Sequence, residues 1–425
     1  MSTSEASDQS PPHHATSRSA HLVGCHHCGL LQEIPPLGPR TTASCVRCHS
    51  QLERNTHDSV RRALALSITG LILFVMTNSY PLLTLQLEGR AQDTRLLSSV
   101  GYFFEREMYA LSLLILVTCF LAPLWQLLSF IYLLAPLSKG RVAPYSAKVL
   151  RALRAITPWG MVEVFLIGLL VSMIKLGKLA TLVPGPSIWA YIGLIITLTA
   201  TFSVLNLAEV WSYVPIKRSW TPPRLDAPHF TCLSCHLTFA APPNASYVER
   251  CPRCDAKVSY RKRKSVQRTA ALGLAASLLY IPANVLPITE TEVLGVEQAD
   301  TIMSGVIFFL LSGSWHIALV IFIASVVIPL AKLLVLAFLL VSVRRDVKVS
   351  RRGRTILYHW TELVGRWSMV DVYVVTVLVA LVQLSPFAVI RAGPGVLYFA
   401  GVVILTMYAA ESFDPRILWD HEETS

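Results

Sequence analysis

Charge is scarce in this chain. Of its 425 residues only 15% are Asp, Glu, Lys or Arg, whereas 53% are hydrophobic and the mean hydropathy is +0.52. Soluble domains carry about 25% charged residues, so the deficit excludes an ordinary soluble protein and points to a membrane. Cysteine is equally scarce outside two short boxes. Eight of nine lie in them, and the ninth, Cys119, sits in an apolar run as a small core hydrophobe. Catalytic signatures are missing too. There is no P-loop, no GxSxG, no HExxH and no Rossmann glycine pattern, so the chain is expected to use no ATP and to be no enzyme. Residues 1–20 hold no apolar stretch. No signal peptide is evident there, and a disordered tail is expected, with His13, His14 and His21 in solvent.

What is present begins with cysteine. Cys25-His-His-Cys28 is followed after sixteen residues by Cys45-Val-Arg-Cys48, and Cys232-Leu-Ser-Cys235 after fifteen by Cys251-Pro-Arg-Cys254. Two short turns offering two thiolates each are the spacing of a zinc ribbon, in which four sulfurs close a tetrahedron around one structural Zn²⁺. The segments are too short for a core of their own, so metal is expected to hold each together. His26, His27, His49 and His236 flank the thiols and are read as neighbours of the site, not ligands.

Behind each box comes a basic stretch and then a series of apolar runs, at about 63–81, 110–134, 156–174 and 187–208, and again at 270–286, 305–341, 367–385 and 394–410. A bilayer crossing needs about 20 residues, so eight spans are expected. The run 305–341 is overlong, so part of it should tilt or lie outside the bilayer. The halves repeat at an offset of 206–208 residues: Asn78-Ser-Tyr-Pro81 matches Asn284-Val-Leu-Pro287, Trp159-Gly-Met-Val-Glu163 matches Trp367-Ser-Met-Val-Asp371, and Gly185-Pro186 matches Gly393-Pro394. The Asn and Pro positions read as helix stops. The fold class is therefore an all-α polytopic membrane protein, a duplicated unit of zinc ribbon plus four transmembrane helices. The expected divisions are a disordered tail at 1–20, ribbon 1 at 21–55, membrane unit 1 at 56–215, ribbon 2 at 228–260, membrane unit 2 at 261–414 and a cytoplasmic tail at 415–425.

The net charge of +11 lies in blocks between apolar runs, so it reads as topology signal and lipid-headgroup contact, not nucleic-acid binding. Lys and Arg number five at 135–155, seven at 342–366 and eleven at 209–269, against three, two, none and one in the other loops. The positive-inside rule then places both ribbons and both termini in the cytoplasm.

Two ionisable residues fall inside spans. Lys332 lies in the sixth and Asp371 about one turn into the seventh, with Glu163 at the matching place in the third. Charge at the bilayer centre costs about 2.5–3.5 kcal/mol, so such groups face a polar interior. Lys332 and Asp371 lie on consecutive antiparallel spans and are candidates to pair. Ser368 at i−3 from Asp371 and Ser325 at i−7 from Lys332 extend the same polar face. The bland alternative is an ion pair that only fixes helix packing. Gln126 replaces Lys332 in the first half, which puts more weight on the second.

Two ribbons each leading into four spans, the NSYP and NVLP span exits, WGMVE and WSMVD, and the closing Ser412-Phe-Asp-Pro-Arg-Ile-Leu-Trp-Asp420 resemble the paraquat-inducible protein A family of Gram-negative inner membranes. The resemblance covers about residues 22–420. It implies a multi-pass inner-membrane component that passes phospholipid or a similar lipid between the bilayer and a periplasmic mammalian-cell-entry-type tunnel protein. Proton coupling through Asp371 and Lys332 is a further possibility on that reading. Two rival classes remain: a membrane redox protein working through quinone or thiols, and a scaffold that only positions the tunnel partner.

Overall fold

The computed structural model describes residues 21–38, 41–55, 58–87, 90–176, 181–225, 227–241, 249–293, 296–313, 315–345, 350–365, 369–381, 383–384 and 388–422. The chain divides into two compact units. One comprises 1–66, 129–152 and 200–260, the other 67–128, 153–199 and 261–425.

The first unit contains both cysteine boxes. Each box is a pair of two-stranded antiparallel hairpins: His21–Gly24 with Leu31–Ile34 and Thr42–Ser44 with Gln51–Arg54, then His229–Thr231 with Thr238–Ala240 and Glu249–Arg250 with Lys257–Val258. Strands of two to four residues bury only a few side chains, among them Ile34, Phe230, Phe239 and Val258, and the centre of each ribbon is its cysteines, all at 7% exposure or less. The ribbons also hold each other: Gly24 N donates to Thr238 Oγ1 at 3.0 Å and the His229 ring meets Gly29 O at 3.3 Å. His21, expected in a solvated tail, instead opens the first strand and pairs with Glu53 at 3.0 Å.

The longer helices, in chain order, are α1 (Ser59–Ser79), α2 (Leu96–Glu105), α3 (Tyr109–Leu137), α4 (Ser146–Ile156), α5 (Val162–Leu176), α6 (Pro186–Val204), α7 (Ser265–Val285), α8 (Ile302–Leu311), α9 (315–344), α10 (Arg351–Gly365), α11 (Val370–Leu381) and α12 (Gly395–Ser412). Among the described residues six helical stretches are long and apolar enough to cross a membrane. They correspond to six of the eight expected crossings. The other two fall on α7, whose 21 residues include Arg268, Pro282 and Asn284, and on α11, only twelve residues long.

The overlong run at 305–341 resolves into two helices. α8 stops at Leu311, Gly313 turns the chain with φ of +77°, and helix resumes at Trp315. Val306 and Phe309 pack there against Ala318 and Ile321 in a small core of their own. The first half turns likewise between α2 and α3, where Glu107 has φ of +61°.

Both long central helices carry a π-helical segment, Leu116–Leu121 before Pro123 and Ile323–Val327 before Pro329. Proline lacks an N–H and its ring clashes with the carbonyl four residues back, and a π-bulge absorbs that misfit at the same place in both repeats. Across the core of this second unit α5 packs on α11. A Cβ at Gly168 would sit 2.8 Å from Tyr373 Cβ, so only glycine permits this approach. Tyr373 then donates to Thr118 Oγ1 at 2.7 Å, and Ser172 to Val374 O at 3.2 Å. Close packing at small residues with hydroxyl bonds across the seam is the usual adhesive of membrane helices.

Each half is closed by a small sheet absent from the all-α expectation. Leu83–Leu87 pairs with both Arg90–Thr94 and Thr181–Pro184, and Thr289–Val293 with both Val296–Asp300 and Ala388–Ala392. The connection after the first helix is thereby tied to the connection before the last. The repeated glycines mark the crossing: a Cβ on Gly185 would lie 2.1 Å from Pro81 O, and one on Gly393 2.4 Å from Pro287 O. Because backbone atoms cannot step aside, Gly393→Ala should lower stability by about 1–3 kcal/mol, as overpacking does. Gly305→Ala, which meets nothing within 4 Å, should not. Thermal unfolding of the two variants in detergent checks this.

Where a tail was expected from 415, the described residues beyond α12 are ordered into structure. Residues Pro415–Glu422 form a 3₁₀ segment in which Leu418 and Trp419 are buried, and Trp419 Nε1 donates to Thr355 Oγ1 at 3.1 Å.

Candidate metal centres and a buried lysine

Each Cys-x-x-Cys is built as one kind of turn. The N–H of Gly29, His49, His236 and Asp255 bonds the carbonyl of the first cysteine of its turn, at 2.9 Å in all four. The first cysteine's own N–H reaches the residue five further on, at 2.8–3.0 Å. That geometry sets the residue after the second cysteine in the left-handed region, with φ of +79°, +58°, +57° and +60° respectively. Glycine occupies that place freely and an L side chain does so at roughly 1–2 kcal/mol. His49→Gly should therefore stabilise the first ribbon by about 1 kcal/mol, seen as slower metal loss to a chelator.

The turns bring four sulfurs together twice. Cys25, Cys28, Cys45 and Cys48 form one cluster and Cys232, Cys235, Cys251 and Cys254 the other, all buried, with Sγ atoms within 4.8 Å of one another. Nearest pairs are 3.5 and 3.6 Å apart in the first cluster and 3.6 and 3.4 Å in the second. A tetrahedron of metal–sulfur bonds of about 2.3 Å has edges of about 3.8 Å, so both clusters fit one tetrahedral cation. The thiols alone are in conflict: hydrogen bonds from Cys25 and Cys28 pull the Cys48 thiol down to about 3, while Cys25 and Cys48 push Cys28 far up. A divalent cation removes the conflict by stabilising all four thiolates. The flanking histidines meet one another, with His26 centred 4.1 Å from His27 and 5.0 Å from His236.

In the second unit Lys332 is 3% exposed. Its Nζ donates to Thr406 Oγ1 on α12 at 2.8 Å and to Gly365 O at the end of α10 at 3.4 Å. No carboxylate pairs with it among the described residues. Ser325 is fully buried in the π segment of the same helix, its hydroxyl bonded to Ile321 O at 2.7 Å. Asp371 lies in the first turn of α11, and its side chain lies outside the described residues, as does Ser368 altogether. Glu163 is placed elsewhere, exposed on α5 and accepting from Thr199 Oγ1 at 3.1 Å. Thr406 escaped the sequence reading because a lone threonine in an apolar run is ordinary; its pairing with Lys332 exists only once α9 and α12 are packed.

Fold and sites together define a polytopic, mostly helical membrane protein with two four-cysteine metal-binding centres and a lysine buried among its helices. The chain belongs to the paraquat-inducible protein A family, whose model, described as Paraquat-inducible protein A, matches residues 60–214 and 266–423, one block per repeat. It is similar to the intermembrane transport protein PqiA of Escherichia coli strain K12, at 32% identity over 417 residues, 97% of this chain and 98% of that one. It is 31% identical over 403 residues to the lipophilic envelope-spanning tunnel protein A of the same strain, covering 94% of this chain and 91% of that one. A probable intermembrane transport protein of Haemophilus influenzae is 29% identical over 418 residues, with 95% and 97% covered. PqiA and the Haemophilus protein are named for transport, not for an enzymatic reaction. No solved structure matches.

Proposed function

We propose that this protein is an inner-membrane component of a lipid transport system, passing phospholipid or a similar lipid between its bilayer and a periplasmic tunnel protein of the mammalian-cell-entry type. Both termini and both ribbons would lie in the cytoplasm, and each ribbon would hold one structural Zn²⁺. The observation that carries the reading is Lys332, a cation buried among helices in a chain whose relatives are named for intermembrane transport. Among the described residues Nζ donates to a neutral hydroxyl and a backbone carbonyl. Gly365 lies six residues before Asp371, which supports an Asp371 carboxylate close to the amine. A lysine with neutral partners can exchange a proton with that carboxylate as a lipid passes. One charge moved across the membrane field supplies about 2.3 kcal/mol per 100 mV.

The test uses the full chain reconstituted with its tunnel partner. A photoreactive residue beside Asp371 should capture phospholipid, identified by mass spectrometry. Lys332→Ala and Asp371→Asn should keep metal content and partner binding but slow lipid transfer roughly 10–100-fold, the effect of losing one charged hydrogen bond of about 1.5–3 kcal/mol. Full transfer by both folded variants would remove the coupling. A captured partner chain with no lipid would leave the scaffold reading.

A further inference from the structure

We propose that the hairpin of α8 and the start of α9 is a docking prong, on which a protein at the periplasmic face seats an apolar groove rimmed by Lys or Arg. The inference rests on the proposed function, which puts a tunnel protein on that side, and adds where on this chain the partner sits. α7 follows the basic stretch Arg261–Lys264, cytoplasmic on that reading, so its far end at Val285 is periplasmic. Tyr280 of α7 donates to Val326 O of α9 at 3.2 Å, which sets the two residues close to one depth. From there α7 runs five residues on to Val285, whereas helix reaches back eleven to Trp315. At 1.5 Å per residue the hairpin stands about 9 Å beyond the end of α7.

What projects there is apolar. Phe308, Leu310, Leu311 and Trp315 are 53–84% exposed. Single exposed leucines are ordinary, but a contiguous apolar surface carried past the hydrocarbon marks a binding site. The first half shows the same turn built for water. The residues matching Leu311, Ser312 and Gly313 are Glu105, Arg106 and Glu107, and Glu107 repeats the positive φ of Gly313, +61° against +77°. The first hairpin is also covered by its own chain. Phe103 and Ile115 belong to the main core, whereas their counterparts Phe309 and Ile321 form the separate small cluster of the second hairpin.

The surroundings give the partner's charge. Thr301 caps α8 directly after the strand Val296–Asp300. In the register of that sheet Glu292 lies directly opposite Glu297, and Glu290 shares their face. Arg391 is the one cation on that face among the described residues, 3.7 Å from Glu292. Like charges held opposite one another repel, and Lys or Arg around the partner's groove relieves the repulsion. An apolar centre with a polar rim is the ordinary build of a protein interface. A second copy of this chain would bring acid to acid, and anionic or zwitterionic headgroups bring no excess of positive charge.

The full chain, carrying benzoylphenylalanine at position 311 or, as control, at position 104, is co-expressed with a mammalian-cell-entry-type tunnel protein in the native membrane and irradiated. Position 311 should capture the tunnel protein about tenfold more than position 104. Leu311→Asp, at an exposed position, should keep both metal ions and the thermal midpoint but lower retention of the tunnel protein at least about tenfold, or about 1.4 kcal/mol. Glu297→Lys should weaken retention too, and more at low salt than at high. Retention undiminished by Leu311→Asp, or equal capture at both positions, would overturn the prong and leave the functional reading standing. Lipid attached at position 311 would overturn it in favour of the bilayer, and a crosslink between two copies in favour of a dimer. A native chain that retains no tunnel protein would sink the functional reading and this one together.

Discussion

Cys232→Ser should empty the second metal centre and unfold its ribbon. The four strands there are two or three residues long, and the few apolar side chains they bury, Phe230, Phe239 and Val258, are a small core beside the metal's contribution. Structural zinc sites of this kind contribute about 10–16 kcal/mol of folding free energy at neutral pH, far more than such hairpins supply. The loss should spread. The backbone of Gly24 is bonded to Thr238, and the ring of His229 to Gly29, so the first ribbon loses its partner when the second comes apart. Metal analysis should find two ions per chain in the native protein and one or fewer in the variant, with faster chelation of the remainder. Cys119→Ser should retain both ions, because Cys119 lies in the helical core with Thr118 as its neighbour. Two ions bound to the Cys232 variant would refute the four-cysteine assignment.

The second large effect is expected at the C-terminal end of α12. Asp414 is 1% exposed and takes Arg416 Nε at 2.9 Å, an Arg416 terminal nitrogen at 2.8 Å and the N–H of Lys262 at 2.9 Å. Ser265 ties the same corner to the start of α7, donating to Ser412 O at 2.9 Å and accepting from Asp414 N at 2.8 Å. Outside it, Arg261 pairs with Asp420 through Nε at 3.0 and 3.1 Å. Asp414→Ala leaves the Arg416 guanidinium buried and unpaired, which should destabilise the protein by about 3–5 kcal/mol. Asp414→Ala with Arg416→Met should recover much of that, since a buried pair replaced by apolar groups is often neutral. Thermal unfolding of single and double variants decides; a double variant no better than the single would locate the effect in the Lys262 backbone bond instead.

The same carboxylate sets a pH limit. Burial pushes Asp414 up, but the hydrogen bonds and charge of Arg416 outweigh it and hold it below the usual carboxylate value. A group depressed on folding stabilises fully above its unfolded value of about 3.9, and that contribution is lost as pH falls through the folded value. Native protein should thus lose stability below about pH 4 more steeply than the double variant, which lacks the pair.

Much of this architecture was readable in advance because its signals are local. Cysteine spacing is dictated by the turn that presents two thiolates, so both clusters could be written down from position alone. The duplication showed in the repeated Asn, Pro, Trp and acidic positions, and the helices in runs of apolar residues. The closing sheets were not readable. Thr289-Glu-Thr-Glu-Val293 carries polar side chains on both faces, so the apolar alternation that betrays a strand is missing. The break in the run 305–341 was equally quiet, because the turn at Ser312–Gly313 interrupts it with only small residues.

The sequence by itself determined the chemistry: a membrane-embedded repeat with two sets of four thiols and a charged residue in an apolar helix. These follow from composition and spacing, because solvation and metal coordination depend on which groups are present. Tertiary structure alone decided what those groups meet. It brought Thr406 and Gly365 to Lys332, left Glu163 with Thr199, joined one ribbon to the other and closed Asp414 on Arg416. Such contacts join residues far apart along the chain. They depend on the directions in which packed helices present their side chains, and no local pattern records them.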